Sequence, residues 1–329
     1  MITRTGRARN WVRALACAAL AWSTVCARAE DFPSRPLKLI VPSPPGGGFD
    51  VTARIVTDRL SPLLGQPVVV ENRSGAGTLV GTEAAARAAP DGYTLLLGTF
   101  SNFGLNSGLF PKIAYDPIKD FRPISIIVSF PFVLVSRADL PFTDLKATVA
   151  GARARPGSIT YASAGRGTGQ HVAMAALEQF HGISFNHVPY RGAQPAYADI
   201  IAGRIDLMFD NVAGMLAQLE GTSLRAMAVS GKSRMPQLPA VPTLIEASGG
   251  TLEFESWFGL FAPAATPTAP FERLHDAMTS VVAMPEIGDL FARTGGRMLK
   301  LSRGEAESFV KGEVARWTRI VKDAGISAP

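Results

Sequence analysis

The stretch that decides the fold runs from residue 37 to residue 73 and reads "LKLIVPSPPGGGFDVTARIVTDRLSPLLGQPVVVENR". It begins with an apolar run that is typical of a strand covered on both faces. Three glycines at residues 46–48 come next, and then apolar residues at helical spacing from Val51 to Leu63. A second apolar run, "PVVVEN", ends the stretch. Strand, glycine-rich turn, helix and strand in this order predict a parallel β-α-β unit.

The same alternation continues along the chain and predicts the fold class. "YTLLLGT" completes the first series, and a second series starts at "FPFVLVSR" and continues through "ITYASAG", "IDLMFDN" and "LRAMAVSG". We predict a two-lobed α/β fold in which each lobe is a mostly parallel sheet flanked by helices, with a ligand cleft between the lobes. Residues 30–130 and 231–329 form the first lobe, and residues 131–230 form an inserted second lobe.

The N-terminus has the three-part pattern of a secretory signal peptide over residues 1–29. A basic start, "MITRTGRARN", is followed by the apolar run "ALACAALAWSTVCA" and by the small residues of "ARA" before Glu30. The apolar run is shorter than the roughly 20 residues that a membrane span needs. We therefore predict cleavage before Glu30 and a periplasmic location.

Removing the leader changes what the composition implies. The whole chain has 33 basic and 27 acidic residues, and five of the arginines lie within residues 1–29, which leaves 28 basic residues against 27 acidic ones. The basic balance therefore gives no indication of nucleic-acid binding. Both cysteines, Cys17 and Cys26, also lie in the leader. We predict neither a disulfide framework nor a thiol nucleophile in the remaining chain.

The motifs of common enzymes are missing. No lysine follows Gly48 as a phosphate-binding loop requires, and the glycines of "SGAGTLVG" and "AGRGTG" have the wrong spacing for a dinucleotide site. The chain has neither a G-x-S-x-G nor an H-E-x-x-H motif. We predict no catalytic residue, no metal ion and no cofactor. An exported hydrolase or transferase stays an alternative through one pair, Ser163 with His171.

Two glycine-rich turns, "PPGGG" and "ASAGRGTG", open helices in different lobes. The backbone N–H groups and the positive dipole at a helix start hold a carboxylate without any cationic side chain. Two such turns that face each other would hold a small organic acid at both ends. We predict that Asp50 caps its own helix, that Thr143 caps a later one, and that Asp210 ends its strand at the cleft.

These segments, together with "HVPYRGAQPAYADIIAGRIDLMFDN" and "PAVPTLIEASG", resemble the Bug family of extracytoplasmic solute-binding proteins of tripartite tricarboxylate transporters. The resemblance covers nearly all of the chain after the leader. It implies a type II periplasmic-binding-protein fold whose lobes close over a carboxylated ligand. It also implies delivery to the subunits of a membrane transporter, and we expect a monomer. A sensor that passes its ligand to a signalling partner stays the alternative.

The resemblance also implies the binding residues. The first loop of the family matches Pro45, Gly46, Gly47, Gly48 and Phe49, and the second matches Ser163, Ala164, Gly165, Arg166, Gly167 and Thr168. The segment after "LLLGT" matches Phe100, Ser101, Asn102 and Phe103, and the end of "DLMFD" matches Asp210.

Three residues depart from the usual pattern of the family. Ser43 replaces an aromatic residue, Phe49 a small or hydroxylated one, and Arg166 an asparagine that is frequent there. Phe100 and Phe103 are expected to make the pocket rim more aromatic. The ligand class therefore stays open between an aromatic carboxylate and a dicarboxylate or tricarboxylate.

Overall fold

The computed structural model describes residues 32–221 and 224–327, and the leader predicted at residues 1–29 lies outside them. The strands in these ranges are β1 (Leu37–Val41), β2 (Val68–Asn72), β3 (Thr94–Thr99), β4 (Phe121–Ser136), β5 (Thr160–Ser163), β6 (Asn186–Pro189), β7 (Leu207–Asn211), β8 (Arg225–Val229), β9 (Glu255–Pro263) and β10 (Arg297–Met298). The α-helices are α1 (Gly48–Leu64), α2 (Leu79–Ala86), α3 (Asn106–Leu109), α4 (Leu145–Ala154), α5 (Gly169–His181), α6 (Ala193–Ile201), α7 (Val212–Leu219), α8 (Leu244–Ser248), α9 (Thr268–Ala283), α10 (Pro285–Arg293) and α11 (Arg303–Asp323). A 3₁₀ turn (Ala76–Thr78) precedes α2, and a π-helical turn (Ser101–Leu105) precedes α3.

The strands form two sheets that share β4. The first sheet has the order β2-β1-β3-β9-β4 with β10 also beside β4, and the second has the order β4-β7-β5-β6 with β8 also beside β4. Residues 121–131 of β4 pair with β9, whereas residues 132–136 pair with β7. One continuous strand therefore connects the two lobes. The limits of the lobes given above stay a prediction.

The direction of pairing differs between the outer and the shared strands. The pairs of β1 with β2 and β3, and of β5 with β6 and β7, are parallel, as the β-α-β pattern predicts. The strands that pass near the junction of the sheets, β4 and β9, pair antiparallel with their neighbours. The architecture is the two-lobed α/β fold that the sequence predicts, with antiparallel strands added at the junction.

The first β-α-β unit forms because its apolar residues are buried on the faces that the pattern predicts. Leu39 and Val41 of β1 and Val56 and Leu60 of α1 are all fully buried. The helix ends where Gly65 adopts a left-handed conformation with φ 71°, and the Gly65 amide donates to the carbonyls of Ser61 and Pro62. Glycine adopts this conformation with little strain, which explains why the helix stops at "LLG".

The predicted cap of α4 was wrong by one residue. The Oδ1 atom of Asp144 accepts a hydrogen bond from the amide of Ala147 at 2.8 Å, so the helix is capped by Asp144 and not by Thr143. Both residue types cap helices well, and the pattern alone does not tell which of two adjacent candidates does so. No helix in the described ranges is both long and apolar enough to cross a membrane.

Candidate functional site

A cavity of about 610 Å³ lies where the two sheets meet. Its lining comes from both sheets and from the helices that follow their strands. The apolar lining residues are Phe49, Val51, Ile55, Phe100, Phe130, Phe132, Ala213, Phe258, Leu290 and Phe291. The polar ones are Thr52, Ser101, Gln170, Asp210, Asn211, Ser256 and Thr294, and three glycines, Gly48, Gly169 and Gly214, complete the lining. The size is that of an ordinary small-molecule site.

Two helices begin at this cavity, one after each glycine-rich turn. The first residue of α1 is Gly48 and the first residue of α5 is Gly169, and both line the cavity. Gly47, before α1, has no side chain that could cap the helix. Thr168, before α5, makes no side-chain hydrogen bond that caps its helix. The amides of the first helical turn have no partner inside a helix, so they are available to an anion at this place.

The first glycine-rich turn is held by Asp50. Its Oδ2 atom accepts hydrogen bonds from the amide of Gly46 and from Nε of Arg54, each at 2.9 Å. Its Oδ1 atom accepts a hydrogen bond from Asn72 Nδ2 at 3.0 Å. The pKa of the Asp50 carboxyl is lowered to about 2. The main cause is the hydrogen bond from Arg54, and the next is the hydrogen bond from the amide of Gly46. The helix begins after Gly47, so the prediction that Asp50 caps this helix was wrong. Asp50 is the third residue of the helix, and its carboxylate bonds back to the turn that precedes it.

The second glycine-rich turn is held by Ser163, which is fully buried at the end of β5. Its Oγ atom lies 2.7 Å from His187 Nε2 and 3.0 Å from the carbonyl of Gly165. His171 Nδ1 accepts the amide of Gly167 at 3.0 Å. The pair of Ser163 with His171 that a hydrolase would need is therefore not formed, because each residue is bonded to another part of the turn.

The two histidines behind this turn are stacked. The ring centroids of His171 and His187 are 4.0 Å apart, and the ring of Tyr161 also stacks with His187 at 4.7 Å. Burial is the main cause that lowers the pKa of both histidines to about 4. Both rings are therefore neutral near pH 7, and they support the turn by packing rather than by charge.

Five of the residues that the sequence predicts as binding residues line the cavity, namely Gly48, Phe49, Phe100, Ser101 and Asp210. The other ten are not among its lining residues, namely Pro45, Gly46, Gly47, Asn102, Ser163, Ala164, Gly165, Arg166, Gly167 and Thr168. Arg166 is exposed. Asn102 is fully buried, where its Oδ1 atom accepts the amide of Thr99 at 2.6 Å and its Nδ2 atom donates to Thr82 Oγ1 at 3.0 Å. Contact of all these residues with a ligand stays a prediction.

Asp210 lies at the end of β7, next to the start of α5. Its Oδ1 atom accepts Gln170 Nε2 at 2.9 Å and the amide of Asn211 at 2.6 Å, and its Oδ2 atom accepts the hydroxyl of Tyr197. Burial raises the pKa of the Asp210 carboxyl, although these donors act in the opposite direction. No lysine, arginine or histidine is among the described residues that line the cavity.

Four phenylalanines of the cavity wall were missed at the sequence level, namely Phe130, Phe132, Phe258 and Phe291. Phe130 and Phe132 are two apart on β4, where the strand passes from one sheet to the other, and both line the cavity although they pack into different core clusters. This spacing is visible in "FPFVLV", but the pairing of β4 with β9 that adds Phe258 is not. Phe103, expected at the rim, is instead fully buried with its ring centroid 4.3 Å from that of Phe261.

Comparison with known proteins identifies similar sequences over nearly the whole chain. A family described as "Tripartite tricarboxylate transporter family receptor" matches residues 52–326. The protein BugT of Bordetella pertussis is 34% identical over 298 residues, which cover 90% of this chain and 91% of BugT.

Three solved structures are similar in both fold and sequence. Rpa4515 of R. palustris with adipate has a TM-score of 0.79 and 31% identity, covering 90% of this chain and 99% of that one. The periplasmic binding protein BugD has a TM-score of 0.76 and 31% identity, covering 90% and 99%. MatC (Rpa3494) from Rhodopseudomonas palustris with bound malate has a TM-score of 0.76 and 30% identity, covering 88% and 100%.

Proposed function

The chain belongs to the tripartite tricarboxylate transporter family of receptors, and we propose that it captures a small organic carboxylate between its lobes and delivers it to a membrane transporter of that type. The family and the two-lobed α/β fold predicted from the sequence are confirmed. Members of the family are periplasmic solute-binding proteins and not enzymes, in agreement with the predicted non-catalytic binder. We propose that the leader of this chain directs it to the periplasm.

The observation that carries the proposal is the cavity between the sheets where α1 and α5 begin. Gly48 and Gly169 bring the first amides of both helices to its wall without a side chain between them. Each helix start contributes about 0.3–2 kcal/mol to binding of an anion, and the larger value applies where water is excluded. The adipate and malate bound by the two relatives support a carboxylate as the ligand of this chain.

The loop residues that precede these two helices are proposed to reach the ligand when the lobes close. Residues 45–47 precede α1 and residues 164–168 precede α5, so each loop leads into a helix that begins at the cavity. Rotation about the continuous strand β4 would bring the loops towards each other. In that arrangement Thr168 and Arg166 would add hydrogen bonds to the carboxylate.

Titration calorimetry of the purified chain against a panel of carboxylic acids tests the proposal. We expect heat of binding with at least one small carboxylate, and mass spectrometry of the purified protein should identify the acid that it retains. Heat with a sugar or a metal ion, and none with any carboxylate, would contradict the proposal.

Delivery to a transporter requires a separate measurement in cells. We expect cells that lack this chain to lose uptake of the radiolabelled acid that it binds, and uptake to return with the intact chain. Unchanged uptake together with a lost transcriptional response to the acid would favour the alternative, a sensor that feeds a signalling partner.

A further inference from the structure

We propose that the cavity is built for an acid that carries an aromatic ring and a single carboxylate. This class is narrower than the small carboxylates of the proposed function, on which the inference rests. Two independent features of the cavity wall support it. The first is the arrangement of its phenylalanines, and the second is the distribution of charge around the two helix starts.

The phenylalanines form two groups on the wall of the cavity. In one group the rings of Phe49 and Phe130 both pack edge-on against Phe258, with centroids 5.2 and 5.9 Å apart. In the other group Phe100 packs edge-on against Phe132 at 5.9 Å. These perpendicular arrangements are ones that aromatic rings prefer, and a ligand ring between the groups would extend them. A flexible aliphatic diacid would contact the same walls without this preference.

Charge around the helix starts favours only one carboxylate. The start of α5 already has an acidic neighbour, because Gln170 in its first turn donates to Asp210 at 2.9 Å. The start of α7 is also occupied, since the Oδ1 atom of Asn211 accepts the amide of Ala213 at 3.0 Å. At the start of α1 the acidic Asp50 is paired with Arg54. The start of α5 thus has the acidic Asp210 beside it, whereas the acid at the start of α1 is neutralised, so we place the single ligand carboxylate at the amides of Gly48 and Phe49.

A second carboxylate would be placed in an unfavourable part of the cavity. Among the described lining residues the one acidic side chain is Asp210, and no cationic side chain is present. A second carboxylate would have to leave water beside this acid, with no cationic side chain to offset the hydration energy that it loses. The apolar wall near Phe100 and Phe132 accepts the uncharged end of an aromatic acid without this cost.

Calorimetry of the full-length purified protein with five acids tests the inference. We expect benzoate to bind at least tenfold more tightly than adipate, malate and benzene-1,4-dicarboxylate, and a few-fold more tightly than cyclohexanecarboxylate. Tighter binding of any of the three diacids would overturn the single carboxylate, and tighter binding of cyclohexanecarboxylate would overturn the aromatic ring. Both outcomes leave the proposed function intact, whereas no binding of any carboxylate would overturn the proposed function itself.

A variant at the cavity wall separates aromatic packing from general apolarity. Phe49→Leu keeps an apolar side chain at a half-buried position, so we expect it to fold normally and to lose the preference for benzoate over cyclohexanecarboxylate. Phe180→Leu is the matched control, because Phe180 is 41% exposed and lies near the other end of α5. An unchanged preference in Phe49→Leu would overturn the role of the phenylalanine wall.

Discussion

The Oγ atom of Ser163 lies 2.7 Å from Nε2 of His187, so the serine that ends β5 is bonded to the neighbouring strand β6. His187 in turn stacks on His171, which accepts the amide of Gly167. The second glycine-rich turn is therefore supported from behind by a buried serine and two histidines. The Ser163 hydroxyl, His187 Nε2 and His171 Nδ1 are therefore bonded inside the protein, and the helix that follows the turn begins at the cavity with Gly169.

Ser163→Ala removes the hydrogen bond to His187 and leaves a partly buried ring nitrogen without that partner. We expect the free energy of unfolding to fall by about 1–3 kcal/mol, because a polar atom that is partly shielded from water loses its partner. Calorimetric melting should show the loss as a drop in Tm, with a weaker affinity for the ligand. Ser158→Ala is the control, since Ser158 is exposed and bonds to Arg155 within its own turn. Equal Tm values for Ser163→Ala and Ser158→Ala would contradict the prediction.

The stacked histidines make stability depend on pH. The pKa of His171 and His187 is lowered to about 4 in the folded protein, whereas unfolded histidine titrates near 6.5. The unfolded chain therefore binds protons first as the pH falls below about 6.5, and the folded state loses stability from there down to about pH 4. NMR titration of the histidine rings should show two that stay neutral at pH 5.5. Titration of both near pH 6.5 would refute this explanation.

Asp50→Asn should loosen the first glycine-rich turn. The variant loses the charge that binds Arg54 and the amide of Gly46, and we expect a cost of about 1–3 kcal/mol near pH 7. Because the folded pKa of Asp50 is lowered to about 2, its contribution is present above about pH 4 and is lost as the pH falls towards 2.

Denaturant unfolding of parent and Asp50→Asn at pH 7 and pH 3 checks this dependence. The difference in free energy of unfolding between the parent and the variant should be smaller at pH 3 than at pH 7. Asp58→Asn, at an exposed position of the same helix, is the control and should change little at either pH. A difference that stays constant with pH would mean that the charge of Asp50 is not the cause.

Gly169→Ala should weaken binding of the ligand without unfolding the protein. A Cβ atom at this position would lie 2.7 Å from Cζ of Phe100 and 3.3 Å from Cζ of Phe132, so the phenyl rings must shift. We expect at least a tenfold loss of affinity by calorimetry. Gly312→Ala in α11 is the control, because its Cβ would meet no atom within 4 Å. Unchanged affinity in Gly169→Ala would show that the ligand does not use this wall.

Asp210→Asn should stabilise the protein increasingly as the pH rises above 4. Burial raises the pKa of Asp210, so the folded state prefers the protonated acid and loses stability as the pH rises through the raised pKa. Asparagine has nearly the same shape and no such penalty. We expect the Tm of the variant relative to the parent to rise between pH 4 and pH 8. A difference in Tm that falls over this range would contradict the prediction.

Much of the fold could be predicted because it depends on neighbours in the chain. The alternation of apolar residues places β1 and α1 where the sequence indicates, and Gly65 ends the helix as glycine commonly does. The predicted cap Thr143 was one residue from the true cap, Asp144, because adjacent capping residues have nearly the same local preference. The place of the cleft also followed from the pattern, since α1 and α5 begin at the cavity.

The sequence by itself determined the β-α-β units, the two glycine-rich turns and the family of the chain. Only the tertiary structure decided which side chains form the cavity wall and which partner each buried polar group has. Phe130 and Phe258 meet because β4 and β9 pair, and Ser163 bonds to His187 because β5 and β6 pair. Local periodicity specifies the face that a residue occupies, whereas the pairing of strands far apart in the chain depends on the packing of the whole core.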